Sequence, residues 1–413
     1  MQQRAMGRNR EIAALLLVPL MACGGDESLP DPEAIHPLTR SWERALPLQK
    51  VPQDLKTLRA AECGECHEEI YAEWKGSVHA QALADPQFQA EWKKDGYLFV
   101  CRNCHTPLQN QQETVVRGLI GGDYHRPAEV PNPDFDPVLK EEAITCAVCH
   151  VRDGFVIGPY GDAGAPHPIK KDLRLLSAQA CLDCHNAKGV LSAALVCTFA
   201  TGDEWQASPY PQQGQDCVTC HMPQVQRPNA ADEPVRASNL HTWAGSGIPK
   251  FPGQEGLGQR GFVGGLEIQV SLSKEFYQAG EAVYAAVSIG NQRAGHELPT
   301  GDVERFVSVD MQVIGPAGKV LQARQERLGE VWEWWPEARQ VADNSFKPLE
   351  RRTYDLSCEI PEDMTEATLK VVVTNHRMTE ENAEAMGLLG QYPLASEIFR
   401  AEYPLLKPPG EKP

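Results

Sequence analysis

Ten of the thirteen cysteines in this 413-residue sequence fall into five copies of one spacing, each closed by a histidine. The copies are Cys63, Cys66 and His67; Cys101, Cys104 and His105; Cys146, Cys149 and His150; Cys181, Cys184 and His185; Cys217, Cys220 and His221. Two thiols at this C-x-x-C separation reach the two vinyl groups of one porphyrin and form thioethers, and the next residue, histidine, then lies beneath the iron as its proximal ligand. A zinc site would need paired C-x-x-C units and no obligatory histidine at a fixed place, and a redox dithiol needs only a single C-x-x-C. Repetition of the whole pattern therefore implies five covalently attached haems c.

Each iron needs a sixth ligand. Seven further histidines are available: His36, His79, His125, His167, His241, His296 and His376. They suffice for bis-histidine ligation of every iron with two to spare. Glu68 to Ala84 reads as a helix, with Ile70, Trp74 and Val78 on one face and Pro86 beyond it. A rise of about 1.5 Å per residue would put His67 and His79 about 18 Å apart along such a helix. His79 would then serve a different iron from the one held by His67.

The elements that must position these residues divide the chain. From Leu55 to Lys250 the sequence is motif-rich and poor in long apolar runs. Porphyrins would supply most of the apolar surface there, wrapped by short helices and irregular segments with little strand, and the apoprotein would lack a core. After Phe251 the pattern changes to strand alternation in Leu266–Leu272, Val283–Ile289, Val307–Val313 and Leu369–Val373, with a turn at Gly315, Pro316, Ala317 and Gly318. This predicts an antiparallel β-sandwich, followed by a short helix around 383–388 and a last strand near Ile398. The fold class is α+β, divided into residues 1–22 as signal peptide, 23–55 as a proline-rich tether, 56–250 as a helical and irregular haem domain, 251–400 as the sandwich and 401–413 as a flexible tail.

Arg4, Arg8 and Arg10 precede a short apolar run from Ile12 to Leu20, too short to span a bilayer. Leu20, Met21, Ala22 and Cys23 resemble a lipobox, which makes Cys23 the lipidated first residue of a mature protein anchored to a membrane surface in the periplasm or at the outer membrane. Cys197 and Cys358 remain as free thiols or, across a docked interface, as a disulfide. The net charge of -17 argues against nucleic acid and suits other redox proteins, basic ones among them, as partners.

Several segments together resemble the cytochrome c-554-like multihaem family. They are ECGECHEEIYAEWKGSVHA, EEAITCAVCH, GPYGDAGAPHP, CLDCH, EWQASPY, DCVTCHMP and NLHTWAGSG, in that order, and AGHELPTG resembles a motif of β-sandwich extensions in such cytochromes. The likeness spans about residues 60 to 310. It implies that His79, His167 and His241 occupy ligand-bearing positions, and it extends to His125 and His296. It implies electron transfer through closely packed haems. The alternative is an oxidoreductase of a small nitrogen or sulfur compound, which needs one haem with an open coordination position. A third reading makes the sandwich a docking module or a cap on the last haem.

Overall fold

The computed structural model describes residues 33–161, 165–193, 195–231, 233–243, 245–251, 260, 264–334, 336–391 and 393–407. The expected signal peptide, the lipidation site Cys23, the start of the tether and the last residues of the tail lie outside them.

Up to residue 251 the chain forms short helices linked by small sheets. Four of the five motifs sit on a helix of about one turn, at Phe99–His105, Cys146–His150, Leu182–His185 and Cys217–His221. This is what the spacing requires, because positions i, i+3 and i+4 of a helix share one face. The first motif differs. Its cysteines bracket the end of helix Ala60–Gly64, and His67 is the N-cap of the next helix, α1 (Glu68–Lys75). Helix α1 is shorter than its sequence pattern implies. Gly76 ends it as C-cap, and residues 77–84 run as turns. Helix α2 (Pro86–Lys94) follows, started by Asp85, whose carboxylate accepts from the Gln87 N–H, and by Pro86 in the first turn.

The haem body holds more strand than its composition implies. Thr114–Ile120 pairs with Pro127–Pro131, Lys188–Ser192 with Leu195–Thr198, and Gln224–Arg227 with Arg236–Asn239. These hairpins satisfy the backbone between motifs where no long helix forms.

Residues 33–55 are not a free tether. Ile35 and His36 add a strand beside Ile120 and Leu119, Trp42 is buried, and the Glu43 carboxylate accepts from the Tyr124 hydroxyl at 2.6 Å. Asn110 accepts from the Gln49 N–H at 2.8 Å. The prolines suppress periodicity, and the segment is held by these tertiary contacts.

The C-terminal part is a β-sandwich of seven strands: β1 (Leu266–Leu272), β2 (Ala282–Asn291), β3 (Phe306–Ile314), β4 (Val320–Leu328), β5 (Arg351–Glu359), β6 (Thr368–His376) and β7 (Ala395–Pro404). One sheet has the order β1-β2-β5 and the other β4-β3-β6-β7, all antiparallel. Alternate residues of the inner strands, among them Val283, Val287, Val309, Met311, Leu369 and Val371, fill one core between the sheets. Strand β7 runs to Pro404 and Leu405 is fully buried, so residues 401–405 belong to the sandwich rather than to a flexible tail. The short helix falls at Glu380–Ala385, capped by Thr379.

The sandwich is fastened to the haem body at several points. Arg377, 2% exposed, donates to the Ile248 carbonyl, and Asn375 donates to that of Ser246. The Glu204 carboxylate accepts from the Glu297 N–H and the Thr300 hydroxyl.

Candidate functional site

The motif histidines are oriented by the backbone around them. The Nδ1 atoms of His67, His105 and His150 lie 2.7, 2.6 and 3.0 Å from the carbonyls of Asn229, Ala82 and Ile157. The same arrangement holds His241 on Asn239 and His296 on Glu297, at 2.9 and 2.8 Å. A carbonyl at Nδ1 fixes the proton there and leaves Nε2 as the free lone pair, the form that binds a metal.

Four of these rings have a partner. His167 stands opposite His67 with ring centroids 6.5 Å apart, His79 opposite His185 at 6.4 Å, His241 opposite His150 at 6.2 Å and His296 opposite His221 at 6.2 Å. Two imidazoles on one metal ion have bonds of about 2.0–2.1 Å each, and with about 1.1 Å from ring centre to nitrogen on either side their centroids fall about 6.3 Å apart. The observed spacings fit one iron between each pair. Burial pushes His79 and His241 down to about 3, and lowers His150, His185, His221 and His296. These rings are therefore neutral at ordinary pH, as ligation requires.

His105 differs. Among the described residues no histidine ring stands opposite it at that spacing. Phe88 of α2 lies flat against its face instead, with centroids 3.4 Å apart and planes within 7°. A ring stacked this way clamps the imidazole from the side and offers the iron no ligand. His125 lies exposed in the turn between strands Thr114–Ile120 and Pro127–Pro131, where its N–H donates to Asp123. The turn Asp123–Arg126 closes on itself and holds the histidine at the surface. His36 is also exposed, and His376 bonds Ser308 in the sandwich.

The cysteines and histidines of the other four motifs line one cavity of about 2230 Å³, together with His79, His167, His241 and His296. Single-ligand pockets reach about 1,000 Å³, so this space fits several bulky groups rather than one. Its walls are largely apolar, including Ile70, Trp74, Val148, Ile157 and Leu182. Thiols of different motifs are neighbours: Cys63 of Cys146, Cys104 of Cys184, and Cys181 of Cys217. The Cys181–Cys184 motif thus lies beside two others. Cys197 lies beside Cys101 and Cys104 as a half-buried free thiol, and Cys358 is free in the sandwich.

Several residues that shape the site carry no motif. Glu73 and Arg227 form a buried ion pair under His241, Phe88 clamps His105, and Glu204 holds the loop of His296. Their roles depend on contacts between distant segments. Of these, Glu73 sits inside ECGECHEEIYAEWKGSVHA and Glu204 inside EWQASPY, stretches that the family resemblance marks, whereas Phe88 and Arg227 sit in none.

Comparison with known proteins agrees with this geometry. Residues 62–119 match the family of cytochrome c554 and c-prime. No curated protein sequence matches the chain. Among solved structures, a penta-heme cytochrome c552 from Thermochromatium tepidum is 17% identical, with 84% of this chain and 98% of that one aligned at a TM-score of 0.59. A sporulation control protein from Bacillus subtilis is 14% identical over 28% of this chain and 44% of its own, at a TM-score of 0.15.

Proposed function

We propose that this multihaem c-type cytochrome of the cytochrome c554-like family is an exported electron carrier with five covalent haems c, four of them ligated by two histidines. The observation that carries the reading is the set of four histidine pairs at 6.2–6.5 Å. Haem bound there supplies one-electron iron chemistry. The chain supplies ten thioether-forming cysteines, the proximal His67, His105, His150, His185 and His221, and the distal His167, His241, His79 and His296. Imidazoles placed on both sides by the fold would hold a haem iron without moving the chain, which suits repeated one-electron transfer. The neighbouring attachment sites suit transfer from one iron to the next.

Among the described residues no helix is long and apolar enough to cross a membrane. The lipobox-like Leu20 to Cys23 supports anchoring by acyl chains on an extracytoplasmic membrane surface, with other redox proteins as partners.

A second reading is favoured by one site. Among the described residues no histidine stands opposite His105, so the haem of Cys101 and Cys104 is the place for an open iron and for reduction or oxidation of a small nitrogen or sulfur compound. Intact mass and electron paramagnetic resonance of the matured protein test both readings. Five haem mass increments with four low-spin signals are expected, and the fifth signal should be high-spin and shift with cyanide or nitrite. Four or fewer increments would overturn the count, and five low-spin signals would remove the open site.

A further inference from the structure

Glu73 lies midway between His67 and His79 in the chain, on α1, with a side chain only 1% exposed. Its carboxylate has four donors. Oε1 accepts from Arg227 Nη1 at 2.6 Å and from Arg260 Nη1 at 3.2 Å. Oε2 accepts from Arg227 Nη2 at 3.0 Å and from the backbone N–H of His241, also at 3.0 Å. Arg227 is itself buried and donates from all three guanidinium nitrogens. It donates to the Asn239 carbonyl at 2.9 Å and to the Ser238 hydroxyl at 3.2 Å. Asn239 in turn takes up His241 Nδ1 on its carbonyl and donates from its side chain to the Met222 carbonyl, next to His221.

A buried ion pair is a poor source of net stability, because desolvating two charges offsets most of their attraction. Its geometric effect is larger. The bidentate fork fixes Arg227 relative to α1, and through Asn239 it fixes both the backbone and the ring of His241. Arg227 also lies 3.8 Å from Glu69, so two guanidinium groups face two carboxylates, of which Glu73 is the buried one, in the low-dielectric place beside this histidine.

We propose that Glu73 is the positioning residue of His241, aiming its Nε2 at the iron held by His150 and setting the local charge that tunes that iron's reduction potential. The proposal rests on the bis-histidine reading above. It makes α1 a shared strut, with His67 at its start, His79 just beyond its end and the His241 segment hung from its middle.

The test uses the full-length holoprotein and three substitutions. Glu73→Ala removes the acceptor for the His241 N–H, so one low-spin signal should be lost and added imidazole should restore it. Glu73→Gln keeps an acceptor but removes the negative charge, so all low-spin signals should remain while one midpoint potential rises. His241→Ala should lose the same signal as Glu73→Ala. Unchanged signals in Glu73→Ala, or a lost signal that imidazole does not restore, would overturn the positioning role. If Glu73→Ala does not mature, the potential in Glu73→Gln decides, and an unchanged value overturns the proposal. Retention of every low-spin signal in His241→Ala would instead remove the ligation reading, and with it the role of Glu73.

Discussion

His296 stands opposite His221 with ring centroids 6.2 Å apart and planes inclined by 13°. His221 closes the last attachment motif, whereas His296 comes from the loop that follows strand β2 of the sandwich. A ligand bond at this place would pin the two parts together, beside the contacts of Glu204 with Glu297 and Thr300. Replacing His296 with Ala should convert one haem to high spin and separate the thermal unfolding of the sandwich from that of the haem body. A single cooperative transition with unchanged spectra would contradict this.

His79 and His125 should behave in opposite ways. His79 is half-buried, with its ring opposite His185 and against Trp243 at 4.5 Å. His79→Ala should lose one low-spin signal while all haems stay attached. His125 is exposed, and His125→Ala should leave the spectrum unchanged and stability within about 0.5 kcal/mol. Visible and paramagnetic resonance spectra of the two variants check the contrast.

The difference between these two histidines marks what the sequence makes legible. The five C-x-x-C-H motifs are readable because the pattern is local, five consecutive residues. The ring that faces a motif histidine comes from a segment far away in the chain, as His79 does for His185, and spacing cannot supply it. The inner strands β2, β3 and β6 are readable by their alternation. Strands β4 and β5 are largely polar and half exposed, with Arg324, Glu326, Arg327 and Arg351 in them, and their place follows only from pairing with β3 and β2. Residues 33–55 look like a linker because a single buried indole, Trp42, and a carboxylate, Glu43, hold them, and neither leaves a periodic trace.

Phe88 is 8% exposed and packs on both His105 and Trp92. Phe88→Ala should cost about 3–5 kcal/mol, the usual loss for a buried phenyl ring. The same change should free the His105 ring to rotate, altering the spectrum and potential of one haem and leaving the four low-spin signals in place. A loss spread equally over all signals would make Phe88 a general core residue and no specific clamp.

Glu91 gives a pH dependence with a definite sign. Gln87 of the same helix donates to Glu91 at 2.8 Å and to Asp302 at 2.6 Å, which brings the two carboxyl groups together where α2 meets the sandwich. Burial and the charge of Asp302 push Glu91 up to about 8, with Glu304 acting in the same sense and Lys250 against it. Between its ordinary value of 4.5 and about 8 the folded protein therefore holds a proton that the unfolded chain has released. Stability should fall as pH rises through that window, by at most about 1.4 kcal/mol per pH unit, and level off above it. Glu91→Gln should flatten the fall. Thermal unfolding from about pH 5 to about pH 9 checks both slopes.

Removal of haem should affect the two parts unequally. The side chains of the haem body form separate small clusters, such as Trp42 with Leu98, Phe99, Val100 and Leu119, or Ala60 with Trp74 and Ala80. A cavity of about 2230 Å³ opens between the motifs, with Trp74 of the second cluster in its wall. Without its contents, that space would fill with water or collapse, and the clusters around it are too small to offset the entropy of ordering the chain. The sandwich has one continuous core, with Val287, Ile289, Val309, Val313, Leu369 and Val373 fully buried, and the cavity reaches it only at its edge, around Leu266, Ile268 and Val307. A chain with all ten motif cysteines changed to Ala should therefore keep the circular dichroism and cooperative melting of a β-sandwich, while the region before residue 251 becomes protease-sensitive. Protection of both parts from protease in that variant would show that the haem body folds on side-chain contacts alone, and complete unfolding would show that the sandwich depends on its docking to the haem body.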